Sequence, residues 1–264
     1  YKHVLEQTSS LLAAHNIVYI KWDHNRVLVD AGHLGTAGVR RQTQAIYRLF
    51  AELKKRHPGL EIESCASGDA RIDLGVIDYV DRFWTSDNND ALERQTIQRW
   101  TSQVIPPEML GTHIGPTHGH QTGRTLELSM RATTALFGHA GIEWNITQAT
   151  AEERKNLATW AAYYKENRAL LHSGKSVRVD YPDEHGYLYG VVSADTKKSI
   201  FAYVQLTPTA TIHPAALKFP GLDPTASYSI KVVYPAGKPR FMLIAPPQWM
   251  DGITMSGSAL AAIG

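Results

Sequence analysis

Two aspartates, each in a tryptophan-bearing run, are the residues whose type and setting could do chemistry. Asp23 lies in Tyr-Ile-Lys-Trp-Asp-His-Asn-Arg (19–26) and Asp87 in Phe-Trp-Thr-Ser-Asp-Asn-Asn-Asp (83–90). Each follows a short apolar run that reads as a strand and precedes a helix-like stretch. In a protein built of βα repeats, catalytic side chains collect at such strand ends. Two carboxylates on one rim suit cleavage of a glycosidic bond: one attacks or activates water, and the other handles the proton on the leaving oxygen.

Either aspartate taken singly reads as a helix cap or a turn residue. Around Asp23, however, stand Lys21, Asn25 and Arg26, and a carboxylate beside cations stays ionised, as a nucleophile must. Strand alternation puts Lys21 and Asp23 on the same side. Near Asp87, Ser86, Asn88 and Asn89 offer neutral contacts, and Asp90 adds a like charge of the kind that raises a neighbouring acid's pKa. The bland alternative is a helix cap, since Asp87 or Asn89 could begin the helix at 91. Between the two runs, Cys65-Ala-Ser-Gly-Asp-Ala-Arg (65–71) reads as pocket wall, because small residues let backbone approach a ligand. His113, His118 and His120 lie in a Gly/Pro loop without metal-ligand spacing, so no metal is expected. Glu143-Trp144 either lines the mouth or is structural. No phosphate- or dinucleotide-binding glycine pattern is present.

The elements that must position these residues alternate. Helices are expected at 5–15, 39–57, 91–103, 124–138 and 150–171, with a helical turn at 70–77. Strands are expected at 17–21, 61–65, 82–86, 109–112 and 141–144. Such alternation means parallel strands with right-handed crossovers. The pace, roughly thirty residues per unit, is that of an eight-fold barrel. After 173 the pattern becomes that of antiparallel strands, at 177–179, 186–193, 199–206 and 228–234. The expected fold is therefore α/β: a (β/α)8 barrel represented by about strands 4–8 over 1–172, then a small antiparallel β-sandwich over 173–264. With three barrel strands absent, the chain is expected to be a piece of a larger protein. Two open sheet edges would then make it inactive and aggregation-prone alone.

Bulk properties exclude several classes. The 264 residues carry a net charge of +2, which points to neither nucleic acid nor anionic membrane. The longest apolar runs are far too short to span a bilayer. One cysteine, Cys65, precludes an internal disulfide and suits a reducing compartment, so a cytoplasmic location is expected. The sequon at Asn145 is of the kind that arises often by chance.

At these residues the chain resembles the α-galactosidases of glycoside hydrolase family 36, clan D. The nucleophile motif stands as Lys21-Trp22-Asp23-His24-Asn25-Arg26 and the acid/base motif as Ser86-Asp87-Asn88-Asn89-Asp90. Glu63-Ser64-Cys65, Arg71-Ile72-Asp73, Glu93-Arg94, His113-Ile114, Thr122-Gly123-Arg124 and Gly141-Ile142-Glu143-Trp144 match in order. The resemblance implies a retaining mechanism on terminal α-galactosyl groups of substrates such as melibiose and raffinose. Asp23 would be the nucleophile and Asp87 the acid/base. Lys21 and Asn25 would contact galactose hydroxyls, Cys65 and Gly68 would lie at the 2-hydroxyl, and Trp84 would help wall the pocket. It implies no cofactor, and a homo-oligomer, often a tetramer. An α-N-acetylgalactosaminidase, a raffinose-type galactosyl transferase or a non-catalytic carbohydrate-binding module are the alternatives. Asp69 departs from the family's usual glycine. Absent too are the N-terminal β-domain and the early barrel strands that give the sugar site a paired aspartate, a tryptophan and an arginine.

Overall fold

Helix formation near the start follows from one apolar stripe. In α2 (Val39–Arg56), Leu49, Phe50 and Leu53 are buried at helical spacing, and Lys54, Lys55 and Arg56 place positive charge at the C-terminal end, where the helix dipole favours it. The stop comes at His57-Pro58-Gly59, with Gly59 at φ +89°, a backbone that residues bearing a Cβ rarely adopt. In this computed structural model the described residues are 1–25, 31–66, 71–180, 182, 184–209, 215–237 and 247–264. They form two compact units: Tyr1–Asp87 with Met109–Gly111, and Asn88–Glu108 with Thr112–Gly264.

The first unit runs α1 (Lys2–Ala14), β1 (Tyr19–Trp22), a two-residue-strand hairpin β2 (Gly32–His33) and β3 (Thr36–Ala37), α2, β4 (Glu61–Ser64) and β5 (Arg82–Trp84). A 3-10 turn at Val76–Tyr79 precedes β5, and β6 (Leu110–Ile114) begins in this unit. The registers are parallel: Lys21 faces Glu63, Trp22 faces Ser64, Ser64 faces Phe83, and Trp84 faces Gly111. One residue beyond these pairs, Asp23 and Cys65 come level at the ends of neighbouring strands. Phe50, Leu53, Ile62, Val76 and Phe83 have no exposed surface and form the core beneath. Each such side chain stabilises the fold by about 1.5–3 kcal/mol. Trp22 adds an edge-to-face contact with Phe50 at 5.5 Å.

The second unit contains α3 (Ala91–Thr101), the rest of β6, α4 (Leu128–Ala135), β7 (His139–Ile142) and α5 (Ala151–Ser173). The parallel sheet thus has the order β1-β4-β5-β6-β7, with β6 common to both units. Among the described residues, five strands of a (β/α)8-type barrel are present, as expected. Antiparallel structure follows: β8 (Lys175–Val179), β9 (Gly186–Val192) and β10 (Ser199–Gln205) in the order β10-β9-β8, and β11 (Ser227–Ile230) paired with β12 (Ile253–Ser256) before α6 (Gly257–Ala262). Leu136, Phe137, Leu171, Val191, Ala202 and Val204 make one buried cluster, and Ile114, Ala132, Ala135, Leu157 and Trp160 another.

Several element ends differ from the sequence expectation. α4 begins at Leu128 rather than near 124, because two arginines hold the preceding segment as a loop. Arg131 donates to the carbonyls of Gly115 and Leu126, and Arg124 to Glu93. β7 ends at Ile142, so Glu143 and Trp144 follow the strand. The cap of α3 is Asp90, not Asp87 or Asn89: its side chain accepts from the Leu92 and Glu93 amides at 2.9 and 3.3 Å.

Asp90 is 3% exposed and also takes Arg124 at 2.8 Å and the Thr122 hydroxyl. Burial pushes its carboxyl up, but these donors outweigh burial and hold it below the usual carboxylate value. A carboxyl depressed in the folded state stabilises above its unfolded pKa, and that stability is lost as pH falls through the folded value. Asp90→Ala is expected to cost about 3 kcal/mol at neutral pH, from a lost cap and lost charge-assisted bonds. Asp90→Asn, which keeps a cap acceptor, should cost less. Urea unfolding of both variants at pH 7 checks this, and their difference from wild type should shrink in acid.

Candidate active site

Asp23 stands just past β1, exposed, where the chain leaves the sheet. Its Oδ1 accepts from the His24 amide at 2.8 Å and its Oδ2 from the Asn25 amide nitrogen at 2.7 Å. The Cys65 thiol and the Lys21 charge act on the same carboxylate. Desolvation pushes its pKa up. Asn25, Cys65, the His24 amide and Lys21 outweigh it in that order, and the net shift is downward. The group is an ionised, oriented carboxylate with an open face.

Cys65 is 1% exposed, and the β1–β4 register brings it level with Asp23. Its amide donates to the Trp22 carbonyl at 2.9 Å. The Arg71 guanidinium ties the same two strand ends together, reaching the Cys65 carbonyl at 2.8 Å and the Trp22 carbonyl at 3.4 Å. Burial lowers the Arg71 pKa, and the nearby carboxylates of Asp23 and Asp73 oppose that shift. Arg71 is thus a cation placed under the Asp23 turn.

Asp87 is exposed beyond β5 and accepts from the Trp84 indole N–H at 2.9 Å. The same indole ring takes the Lys21 ammonium 4.7 Å from its centroid. Trp84, 1% exposed, therefore lies beneath the site and touches the second carboxylate as well as the lysine that acts on the first. Because Asp90 serves as the cap of α3, Asp87 is not needed there.

The structure brings together Lys21, Asp23, Asn25 and Cys65, and it joins Lys21 to Asp87 through Trp84. Gly68, Asp69 and Arg26 lie outside the described residues. Asp90, expected as a like charge beside the acid, is instead tied to Arg124, Thr122 and the helix amides. His113 pairs with Glu143 at 2.8 Å, and His118 approaches the Thr125 hydroxyl at 3.3 Å. Sequence reasoning gave no role to Glu63, Tyr19 or Arg71. The available signal was a glutamate in the middle of a strand buried on both sides, where an ionisable group needs a partner.

Known proteins are similar to this chain along its length. The melibiase family matches residues 1–174, and the glycosyl hydrolase family 36 C-terminal domain matches 187–264. An alpha-galactosidase of Escherichia coli is 41% identical over 273 residues, covering 100% of this chain and 38% of the relative. Alpha-galactosidase AgaA of Geobacillus stearothermophilus is 33% identical, covering 87% and 32%. The chain spans about a third of the length of these curated relatives. Among solved structures, the alpha-galactosidase of Lactobacillus brevis superposes with a TM-score of 0.85 at 31% identity, over 100% of this chain and 34% of that one. A variant of AgaA in complex with raffinose gives 0.85 at 28%, over 99% and 35%.

Proposed function

The chain belongs to the melibiase family and carries the family 36 C-terminal domain, and from that premise we propose that it forms part of a retaining α-galactosidase. The substrates proposed are oligosaccharides ending in α-linked galactose, such as melibiose and raffinose. The raffinose complex of AgaA supports that class.

The observation that carries the reading is the Trp84 ring, which holds Asp87 at its nitrogen and Lys21 on its face. In the first step, the Asp23 carboxylate attacks the anomeric carbon and the bond to the leaving oxygen breaks. Protonated Asp87 gives its proton to that oxygen. Asp87, now a carboxylate, takes a proton from water, and the water oxygen displaces Asp23 to release galactose with its configuration retained. Lys21 and Asn25 orient Asp23 and contact sugar hydroxyls, while Cys65 and Gly68 bound the 2-hydroxyl side.

The same reading assigns residues 1–172 to the catalytic barrel and 173–264 to a β-domain, within a longer protein that supplies three further barrel strands. Five parallel strands and coverage of about a third of the relatives support it. A cytoplasmic setting suits a buried Cys65 that is in no disulfide. A homo-oligomeric assembly rests on the family resemblance.

Hydrolysis of an aryl α-galactoside by the intact protein tests the function. Preference for the 2-acetamido analogue would move it to an α-N-acetylgalactosaminidase. Asn25→Ala gives a finer check. It removes a group that lowers the Asp23 pKa, so the acid limb of kcat/KM should move to higher pH. An unmoved limb would separate Asp23 from the ionisation that limits the rate.

A further inference from the structure

We propose that Glu63 is the positioning residue of Lys21, holding its ammonium where the substrate hydroxyls arrive; this rests on the reading of Lys21 as a galactose contact. Glu63 sits in the middle of β4, 2% exposed, directly across the parallel ladder from Lys21. Its Oε2 accepts from the Tyr19 hydroxyl at 2.9 Å. Its Oε1 is buried with no hydrogen-bond partner among the described residues and lies 4.0 Å from the Lys21 nitrogen. A buried carboxylate oxygen in that state is strongly disfavoured unless a cation neutralises it, and Lys21 is the cation that faces it.

The lysine head is therefore fixed from two sides. Trp84 supports it through the ring face at 4.7 Å, and Glu63 draws it across the ladder toward β4. A free lysine chain has several soft torsions, so two anchors remove disorder that substrate binding would otherwise have to overcome. Glu63 is itself held. Tyr19 donates to it, and the Arg82 guanidinium, paired with Glu61, covers the Tyr19 ring at 5.0 Å. Room for the carboxylate comes from Gly111, where a Cβ would stand 3.2 Å from Oε2 and 3.1 Å from the Phe83 carbonyl oxygen.

The test is a double-mutant cycle in the intact protein, with Glu63→Gln, Lys21→Met and both together, on an aryl α-galactoside. Glu63→Gln keeps shape and removes the charge. It should raise KM roughly tenfold with a much smaller change in kcat, the size of one weakened polar contact to substrate. In the Lys21→Met background the same change should add nothing, since residues that act through one another are non-additive. An unchanged KM in Glu63→Gln, or full additivity, would overturn the proposal. Should Glu63→Gln not fold, Tyr19→Phe carries the test: KM should rise in the same direction, and no rise overturns it. If the wild-type protein hydrolyses no α-galactoside, the functional reading has failed on its own. Crystal structures of wild type and Glu63→Gln then decide, because Lys21 unmoved over Trp84 would still overturn the positioning role.

Discussion

Asp23→Ala in the intact protein is expected to lower turnover of an aryl α-galactoside by at least about 10⁴-fold, the scale on which removal of an essential nucleophile acts. On the proposed mechanism the variant deletes the carboxylate that bonds to the anomeric carbon, and it leaves Asn25, Cys65 and Lys21 facing a small gap. Stability should change little, because Asp23 is exposed and lies beyond the strand. Added azide makes the result specific. It can enter the vacated space and attack the same face of the sugar, giving the β-galactosyl azide while Asp87 still protonates the leaving group. Inactivity without that product would leave Asp23 as an orienting group and not as the attacking one. The pH profile of the wild type follows from the same neighbours. If Asp23 attacks as proposed, activity needs it ionised, and because its pKa is lowered kcat/KM should fall on the acid side only once pH drops below the usual carboxylate range.

Much of this site was legible in the sequence, because strand alternation and strand ends are local properties. Lys21 and Asp23 flank one residue of a strand, and Trp84 and Asp87 span the end of another, so the groupings needed no knowledge of the sheet. Which neighbours meet across strands is a matter of register, and register depends on packing of the whole sheet. That is why the pairing of Glu63 with Lys21, and the ring of Trp84 under both clusters, emerged only in three dimensions. Caps show the same limit. Three acceptors, Asp87, Asn89 and Asp90, precede the helix at 91, and propensity does not rank them. What selects Asp90 is Arg124, thirty-four positions later, which places its charge against that carboxylate. The same arginine belongs to the loop that shortens α4, so one long-range ion pair displaced two local expectations. Residues 67–70, among them the Asp69 that departs from the family's usual glycine, lie outside the described residues.

Asp87→Ala is expected to behave differently from Asp23→Ala, and the difference identifies the role. General acid–base catalysis contributes about 10²–10⁴-fold. With raffinose, whose leaving alkoxide needs a proton, the full loss should appear. An aryl galactoside with an acidic phenol departs without help, so its first step should survive and its second, attack by water without a base, should become slow. Galactosyl-enzyme then accumulates, which lowers KM along with kcat, and a burst of phenol should precede the steady state. Azide needs no base. It should restore turnover and displace Asp23 from the opposite face, yielding the α-galactosyl azide. The two alanine variants thus give azides of opposite configuration from one substrate, β from Asp23→Ala and α from Asp87→Ala. Equal losses on raffinose and on the activated aryl galactoside, with no azide rescue, would remove Asp87 from proton transfer. In that case its bond to the Trp84 indole would be its function, a bond that holds the ring on which Lys21 rests.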